Sequence, residues 1–223
     1  MPLYKTIKIN KTTTAYFWHI TEDVTSLFRA VSLSEASLKR LEEMKSESHQ
    51  KGFLAVRMLL QYLDFTDNDL TYDAAGKPHL MRKAERNPIT HHPSPITQHI
   101  SISHSHEFSC ICISDEVIGI DLELLKEKTL KIASRFMDVN HLLGLSIADQ
   151  ITKATVVWGI KESIFKIKSE KGISFPDHIF EDAFDIKEGE CTAELHFNSR
   201  IEKFYVQFHL IEGYVFVFSK ILM

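Results

Sequence analysis

The chain has 223 residues, 44% of them hydrophobic and 25% charged, the proportions of an ordinary soluble globular protein with enough length to bury one large core or two smaller ones. Its net charge of −4 at pH 7 provides no basic field of the kind that binds nucleic acid, so any anion must meet a local cluster of cations. Three cysteines (Cys110, Cys112, Cys191) make no disulfide framework and point to a reducing cytoplasm, no run approaches the ~18 apolar residues of a membrane span, and a chain with only eight glycines and no glycine-rich loop argues against a Rossmann or Walker site.

In chain order, "YKTIKI" and "TTTAYFWHI" alternate as strands do. From Ser32 to about Leu63 the period becomes helical; Ser32 and Ser34 are both candidate N-caps, and Glu35, three residues after Ser32, would complete a capping box. The second part of this stretch, "HQKGFLAVRMLLQYL", is a strongly apolar helix that carries Lys51 and Arg57. A polar loop follows with turn chemistry at "AAGKPHL", and residues 83–98 hold three of the six prolines without any clear period, which predicts an exposed loop. "HISISHSHEFSCICISDEVIGIDLELL" reads as strand, polar break, strand, turn at Ser114–Asp115–Glu116, strand. Helical patterns run from about Lys126 to Asn140 and from about Ile147 to Ser169, and the tail holds three β-rich segments broken by "NSR" and "EGY". The expected fold class is α+β: two pseudo-symmetric lobes, 1–114 and 115–223, each a small antiparallel sheet packed on a long helix, with a site between them.

Within "VIGIDLELL", Asp121 and Glu123 interrupt an otherwise apolar run. Residues two apart on a strand share a face, so these carboxylates lie side by side about 7 Å apart, with Ile118, Ile120, Leu122 and Leu124 opposite. Like charges on one face repel, and partial burial makes the repulsion worse. Either that face is open to water or something positive sits there. The helix "ITKATVVWGIKESIFKIKSE" contains a second anomaly: Ala154, Val157, Trp158, Ile164 and Phe165 form an apolar stripe with Lys161 near its centre, while Glu162 lies at the edge and Lys166 one turn on. For an arbitrary helix this is a Glu162–Lys166 pair on a solvated face, with Lys161 snorkelling past the core. Taken with the strand, Asp121, Glu123 and Glu162 supply three hard oxygen donors suited to Mg²⁺, and Lys161 and Lys166 could balance phosphate charge. That combination indicates chemistry on a diphosphate.

"IGIDLE" (118–123), followed some forty residues later by "WGIKESIFK" (158–166), resembles the paired signature of the 4′-phosphopantetheinyl transferases, closest to the single-chain, two-lobed Sfp type. "GKP" at 76–78, "SISHS" at 101–105 and "KGISFP" at 171–176 fall in matching order, so the resemblance spans roughly residues 32–180. It implies that Asp121, Glu123 and Glu162 hold Mg²⁺ on the diphosphate of coenzyme A, the substrate. It also implies that Lys161 and Lys166 contact phosphates or the reacting centre, and that Lys77, Ser103 and His104 hold the nucleotide portion. Lys51 stands where many relatives carry arginine, keeping the charge but losing the bidentate fork. Arg57 matches a recurrent arginine whose role falls between structure and binding; Lys39 and Arg40 align loosely near the nucleotide. The implied reaction is attack by a serine hydroxyl of an apo acyl or peptidyl carrier protein on the β-phosphate, releasing 3′,5′-adenosine bisphosphate, with Glu162 accepting the proton directly or through water. Asp121 and Lys166 complete the expected catalytic set, in a cytoplasmic monomer with no nucleic-acid or membrane partner.

Other readings compete. His91, His92, His99, His104 and His106, with Cys110 and Cys112, invite a zinc site, but their spacings are not those of zinc ligands, and the thiols read as buried and inert. The aromatic tail reads as sheet core. A non-catalytic member of the same fold would bind coenzyme A or a carrier without turnover. A Mg²⁺-dependent phosphohydrolase would use the same ligands but leaves "GKP" and "SISHS" unexplained.

Overall fold

The computed structural model describes residues 3–82 and 96–222. Most of the loop expected over 83–98, with His91 and His92, lies outside the described residues. The chain divides into two compact units, Met1–Glu116 and Val117–Met223. Both follow the α+β plan of an antiparallel sheet with a long helix.

In the first unit, β1 (Lys5–Lys8), β2 (Thr14–His19), β3 (Leu70–Tyr72), β4 (Pro78–Arg82), β5 (Ile96–Ser105) and β6 (Phe108–Ser114) form a six-stranded sheet in the order β1-β2-β6-β5-β4-β3. Helices α1 (Val24–Ala30), α2 (Glu35–Glu42) and α3 (Glu47–Tyr62) all lie in the connection from β2 to β3. The helical stretch expected from Ser32 to about Leu63 is made of two helices, α2 and α3. Ser34 caps α2 by accepting the Ser37 N–H, and Ser46 caps α3 by accepting the His49 N–H. Serine hydroxyls that bond the backbone ahead of them favour starting a new helix over continuing an old one. Gln50 Nε2 closes the break by donating to the Met44 carbonyl at 2.9 Å. Ser32 is no cap; its N–H donates to Gln61 Oε1. Helix α3 buries Phe53, Leu54, Val56, Leu59 and Leu60 in a core shared with Trp18, Leu27, Leu80, Ile100 and Ile111.

Arg57 sits inside this core. Its side chain is 3% exposed and its Nε donates to Asp67 Oδ1 at 2.9 Å, while its guanidinium lies 3.5 Å from the centroid of the Phe53 ring. Ser37 Oγ and the Phe53 carbonyl accept its remaining bonds. These partners make Arg57 a structural residue. Burial pushes the Asp67 carboxyl up, but hydrogen bonds from Ser34 and Ser37 and the Arg57 charge outweigh it, so the net shift is downward. A lowered carboxylate stabilises the fold above its unfolded pKa, and that contribution is lost as pH falls through the folded value. Asp67→Asn keeps the shape but loses a charge-assisted bond, so its unfolding free energy near pH 7 should fall by about 1.5–3 kcal/mol. Urea melts across the acid range should show the gap from wild type closing below the ordinary carboxylate pKa; a constant gap would place the effect elsewhere.

In the second unit, β7 (Ile118–Leu124), β8 (Ile179–Glu181), β9 (Glu190–Phe197), β10 (Arg200–Ile211) and β11 (Tyr214–Ile221) form a five-stranded sheet in the order β7-β11-β10-β9-β8. The three β-rich tail segments are β9 to β11, joined by turns at Asn198–Ser199 and Glu212–Gly213, all four residues at positive φ. The helix expected over Lys126 to Asn140 is shorter: α4 (Glu127–Lys131), then 3₁₀ turns at Ala133–Arg135 and Val139–Leu142. The long helix α5 (Ile147–Lys168) begins at Ser146, whose hydroxyl accepts the Asp149 N–H, and ends at Ser169 in the left-handed region at φ 51°. Helix α6 (Phe175–His178) leads into β8. Among the described residues no helix is long and apolar enough to cross a membrane.

Candidate functional site

Two glycines let α5 lie directly on the sheet. A Cβ on Gly119 of β7 would stand 1.9 Å from the Ser163 carbonyl oxygen, and one on Gly159 would stand 2.5 Å from Val217 Cγ2 and 3.7 Å from Asp121 Oδ2. With no Cβ at either place, strand and helix approach more closely than any other residue pair would allow. A 2.6 Å contact between the Ser163 and Ser219 hydroxyls pins the same face. Gly159, Glu162, Ser163 and Lys166 recur at helical spacing, so they face β7 and β11 together.

That packing supplies the positive group that the strand's carboxylates call for. Lys166 Nζ donates to Asp121 Oδ1 at 2.8 Å and to the Ile120 carbonyl at 2.9 Å. Asp121 is 4% exposed, so water does little of the work of holding its charge. Glu162 is half-buried one turn before Lys166. Burial pushes its carboxyl up, the Asp121 charge pushes it further, and Lys166 pulls it partly back. Glu123 is also half-buried and shares the Asp121 face of β7 by strand alternation. Among the described residues no three His, Cys, Asp or Glu side chains are grouped closely enough to ligate an ion.

Lys161 behaves differently from both sequence expectations. It neither snorkels nor faces an open cleft: its side chain is 3% exposed, and its Nζ pairs with Glu181 Oε2 at 2.6 Å and with the Ile179 carbonyl. Glu181, in β8, is 5% exposed and has His141 Nδ1 at 3.8 Å. The apolar stripe of α5 is broader than its periodicity suggests, because the helix is covered on more than one side, and an anion from β8 meets the lysine within it. In this structure the Lys161 ammonium meets an internal carboxylate.

The residues expected at the nucleotide lie in the other unit. Lys51, near the start of α3, is half-buried and pairs with Glu47 Oε1 at 3.0 Å. Lys77 sits in a tight turn built by Asp73, whose Oδ1 accepts the N–H groups of Ala75 and Lys77, both at 2.9 Å. Gly76 provides the φ of +83° that the turn requires. His79 Nε2 stands 3.2 Å from Asp73 Oδ2, and these bonds, that to Lys77 first, hold the Asp73 carboxyl below its ordinary range. Asp73 is absent from the sequence-derived site; its signal is an aspartate three residues before a Gly-Lys-Pro turn. Ser103 is buried and His104 exposed, and as neighbours on β5 they point to opposite faces. The exposed Arg40 lays its guanidinium 4.6 Å from the Tyr72 ring centroid and 5.7 Å from that of Phe53. Lys39 is exposed on α2.

No family model matches the chain. Curated relatives do. It is 35% identical over 85 residues to the 4′-phosphopantetheinyl transferase Gsp of Aneurinibacillus migulanus, covering 37% of this chain and 35% of that protein. It is 29% identical over 162 residues to the 4′-phosphopantetheinyl transferase Sfp of Bacillus subtilis (strain 168), covering 68% and 65%. With the 4′-phosphopantetheinyl transferase Ffp of Bacillus subtilis it shares 28% over 185 residues, covering 78% and 75%. The match thus spans about a third of the length of the first of these relatives and just under two thirds of the second. The ordered motifs and these relatives agree that the chain resembles the 4′-phosphopantetheinyl transferases of the Sfp type.

Proposed function

We propose that this protein transfers the 4′-phosphopantetheine arm of coenzyme A to a serine of an apo acyl or peptidyl carrier protein, releasing 3′,5′-adenosine bisphosphate. The observation that carries the reading is the lysine–carboxylate set where α5 meets β7: Lys166 on Asp121, with Glu162 one turn away. Transfer requires a cation for the diphosphate and a base for the attacking hydroxyl, and this set contains both chemical types. Lys166 steadies negative charge that develops on the leaving bisphosphate. Glu162 takes the proton of the carrier serine as its oxygen attacks the β-phosphate; its raised pKa makes it a stronger base than an exposed glutamate. Asp121 holds the Lys166 ammonium in place between turnovers. Lys51, Lys77 and His104, in the first unit, serve the nucleotide phosphates.

The donor chemistry fits Mg²⁺. Asp121 and Glu162 are hard oxygen donors close enough to repel each other, and Mg²⁺ is usually held by one or two carboxylates, with water and substrate phosphates completing the shell. Asp121 and Glu162 would hold the ion, with Glu123 on the same strand face, and it would neutralise charge on the diphosphate. Because ion and diphosphate share these residues, their binding is reciprocal. Titration calorimetry should show coenzyme A binding tightened by Mg²⁺ and loosened by chelator; equal affinities in both conditions would remove the shared site.

The direct test incubates the protein with coenzyme A, Mg²⁺ and a panel of apo carrier proteins, followed by intact-mass measurement. The expected result is a carrier that gains the mass of one phosphopantetheine arm on its serine. Release of inorganic phosphate without carrier modification would indicate a phosphohydrolase, and binding without either product would indicate a non-catalytic module.

A further inference from the structure

Helix α3 carries a glycine near its start, Gly52, where every neighbouring helical position holds a larger side chain. Glycine weakens a helix interior, so its presence calls for a local reason. The structure supplies one. A Cβ on Gly52 would stand 2.7 Å from His104 Cδ2, 3.1 Å from its Cγ and 3.4 Å from its Cβ. The imidazole therefore lies on the bare Cα of the helix. His49, one turn earlier on α3, meets the same ring edge-on, with centroids 5.9 Å apart and planes at 90°.

The strand side of this contact is fixed as well. His104 on β5 is cross-strand partner to Ser109 on β6, and the buried Ser109 hydroxyl donates to the Gly52 carbonyl at 3.2 Å. The hairpin is thus bonded to α3 at the very residue on which its histidine rests. A ring held on one side by a helix backbone and on another by a second ring loses less rotamer freedom when it binds a ligand than a ring on an open strand.

We propose that Gly52, with the Ser109 bond, forms a seat that holds the His104 imidazole in the orientation in which it bonds a coenzyme A phosphate, which makes Gly52 a positioning residue. The inference rests on the transferase reading for the identity of the ligand, but the seat itself can be tested without it. Gly52→Ala adds one methyl whose three nearest neighbours all belong to the His104 side chain. The exposed ring must rotate away, while the helix gains its best former.

Three measurements decide the matter. In Gly52→Ala the thermal midpoint should hold or rise, while the imidazole proton resonances of His104 and His49 shift by NMR. The KM for coenzyme A should rise by about tenfold, the loss of one good hydrogen bond to a charged group, with kcat changed far less. His104→Ala should raise KM similarly, and the double variant should be no worse than His104→Ala alone to within about a factor of two, because both changes remove the same contact. Unchanged ring resonances in Gly52→Ala, or fully additive losses in the double variant, would overturn the seat. Failure of the transferase reading has a separate signature: ring resonances that shift in Gly52→Ala while His104→Ala leaves coenzyme A binding untouched.

Discussion

Lys161→Met is expected to cost the folded protein about 3–5 kcal/mol, and Glu181→Leu added to it to return most of that loss. Methionine matches the lysine stem in length, so packing along α5 is preserved and the change isolates the charge. What remains in the single variant is a carboxylate that is 5% exposed and has lost the ammonium at 2.6 Å. His141, at 3.8 Å and partly exposed, is a weaker substitute. Removing both charges leaves apolar groups of similar volume in their place, which is commonly neutral or stabilising for a buried pair. Urea melts of the wild type, both single variants and the double variant give the coupling directly. A Lys161→Met midpoint equal to wild type would show that the pair is not formed in solution and would return Lys161 to the diphosphate.

The partner of Lys161 also shows where sequence reasoning stops. A lysine centred on an apolar stripe demands an anion, and that demand is visible in the sequence. Its answer is not: Glu181 lies in a three-residue strand with no readable alternation, reached through a helix of four residues. Periodicity needs several residues to register, so short elements such as β3, β8 and α1 leave no signal. Longer ones do. Helix α5 starts where its pattern starts, and β9, β10 and β11 fall where the tail alternates. Arg57 follows the same logic as Lys161, since its burial is legible in an apolar helix while its partner Asp67 stands in a 3₁₀ turn of three residues beyond it. For the candidate site, the carboxylates of β7 and the lysines of α5 are conspicuous by type, but the Asp121–Lys166 pairing depends on Gly119 and Gly159. Those two read as unremarkable until the helix is seated on the strands.

Lys166→Met and Asp121→Asn should both reduce transfer severely, yet move stability in opposite directions. Lys166 is the cation nearest the buried Asp121, and its charge pulls the Glu162 carboxyl downward. Removing it leaves two carboxylates repelling in a partly buried place, so the metal-free protein should lose about 2 kcal/mol. Asp121→Asn keeps an oxygen for the Lys166 bond and relieves Glu162 of its neighbour's charge, so the metal-free midpoint should hold or rise. Activity does not follow stability. Losing the ammonium removes a charge-assisted bond to the departing bisphosphate, about a ten- to hundred-fold fall in kcat/KM. Losing the Asp121 charge removes a hard donor for the ion and weakens Mg²⁺-dependent turnover at least as much. Thermal melts in chelator and steady-state rates with an apo carrier, measured on the same two preparations, separate the effects. If the residues were only a structural ion pair, activity would track the melting temperature, and Asp121→Asn, stable or stabilised, would keep wild-type kcat/KM.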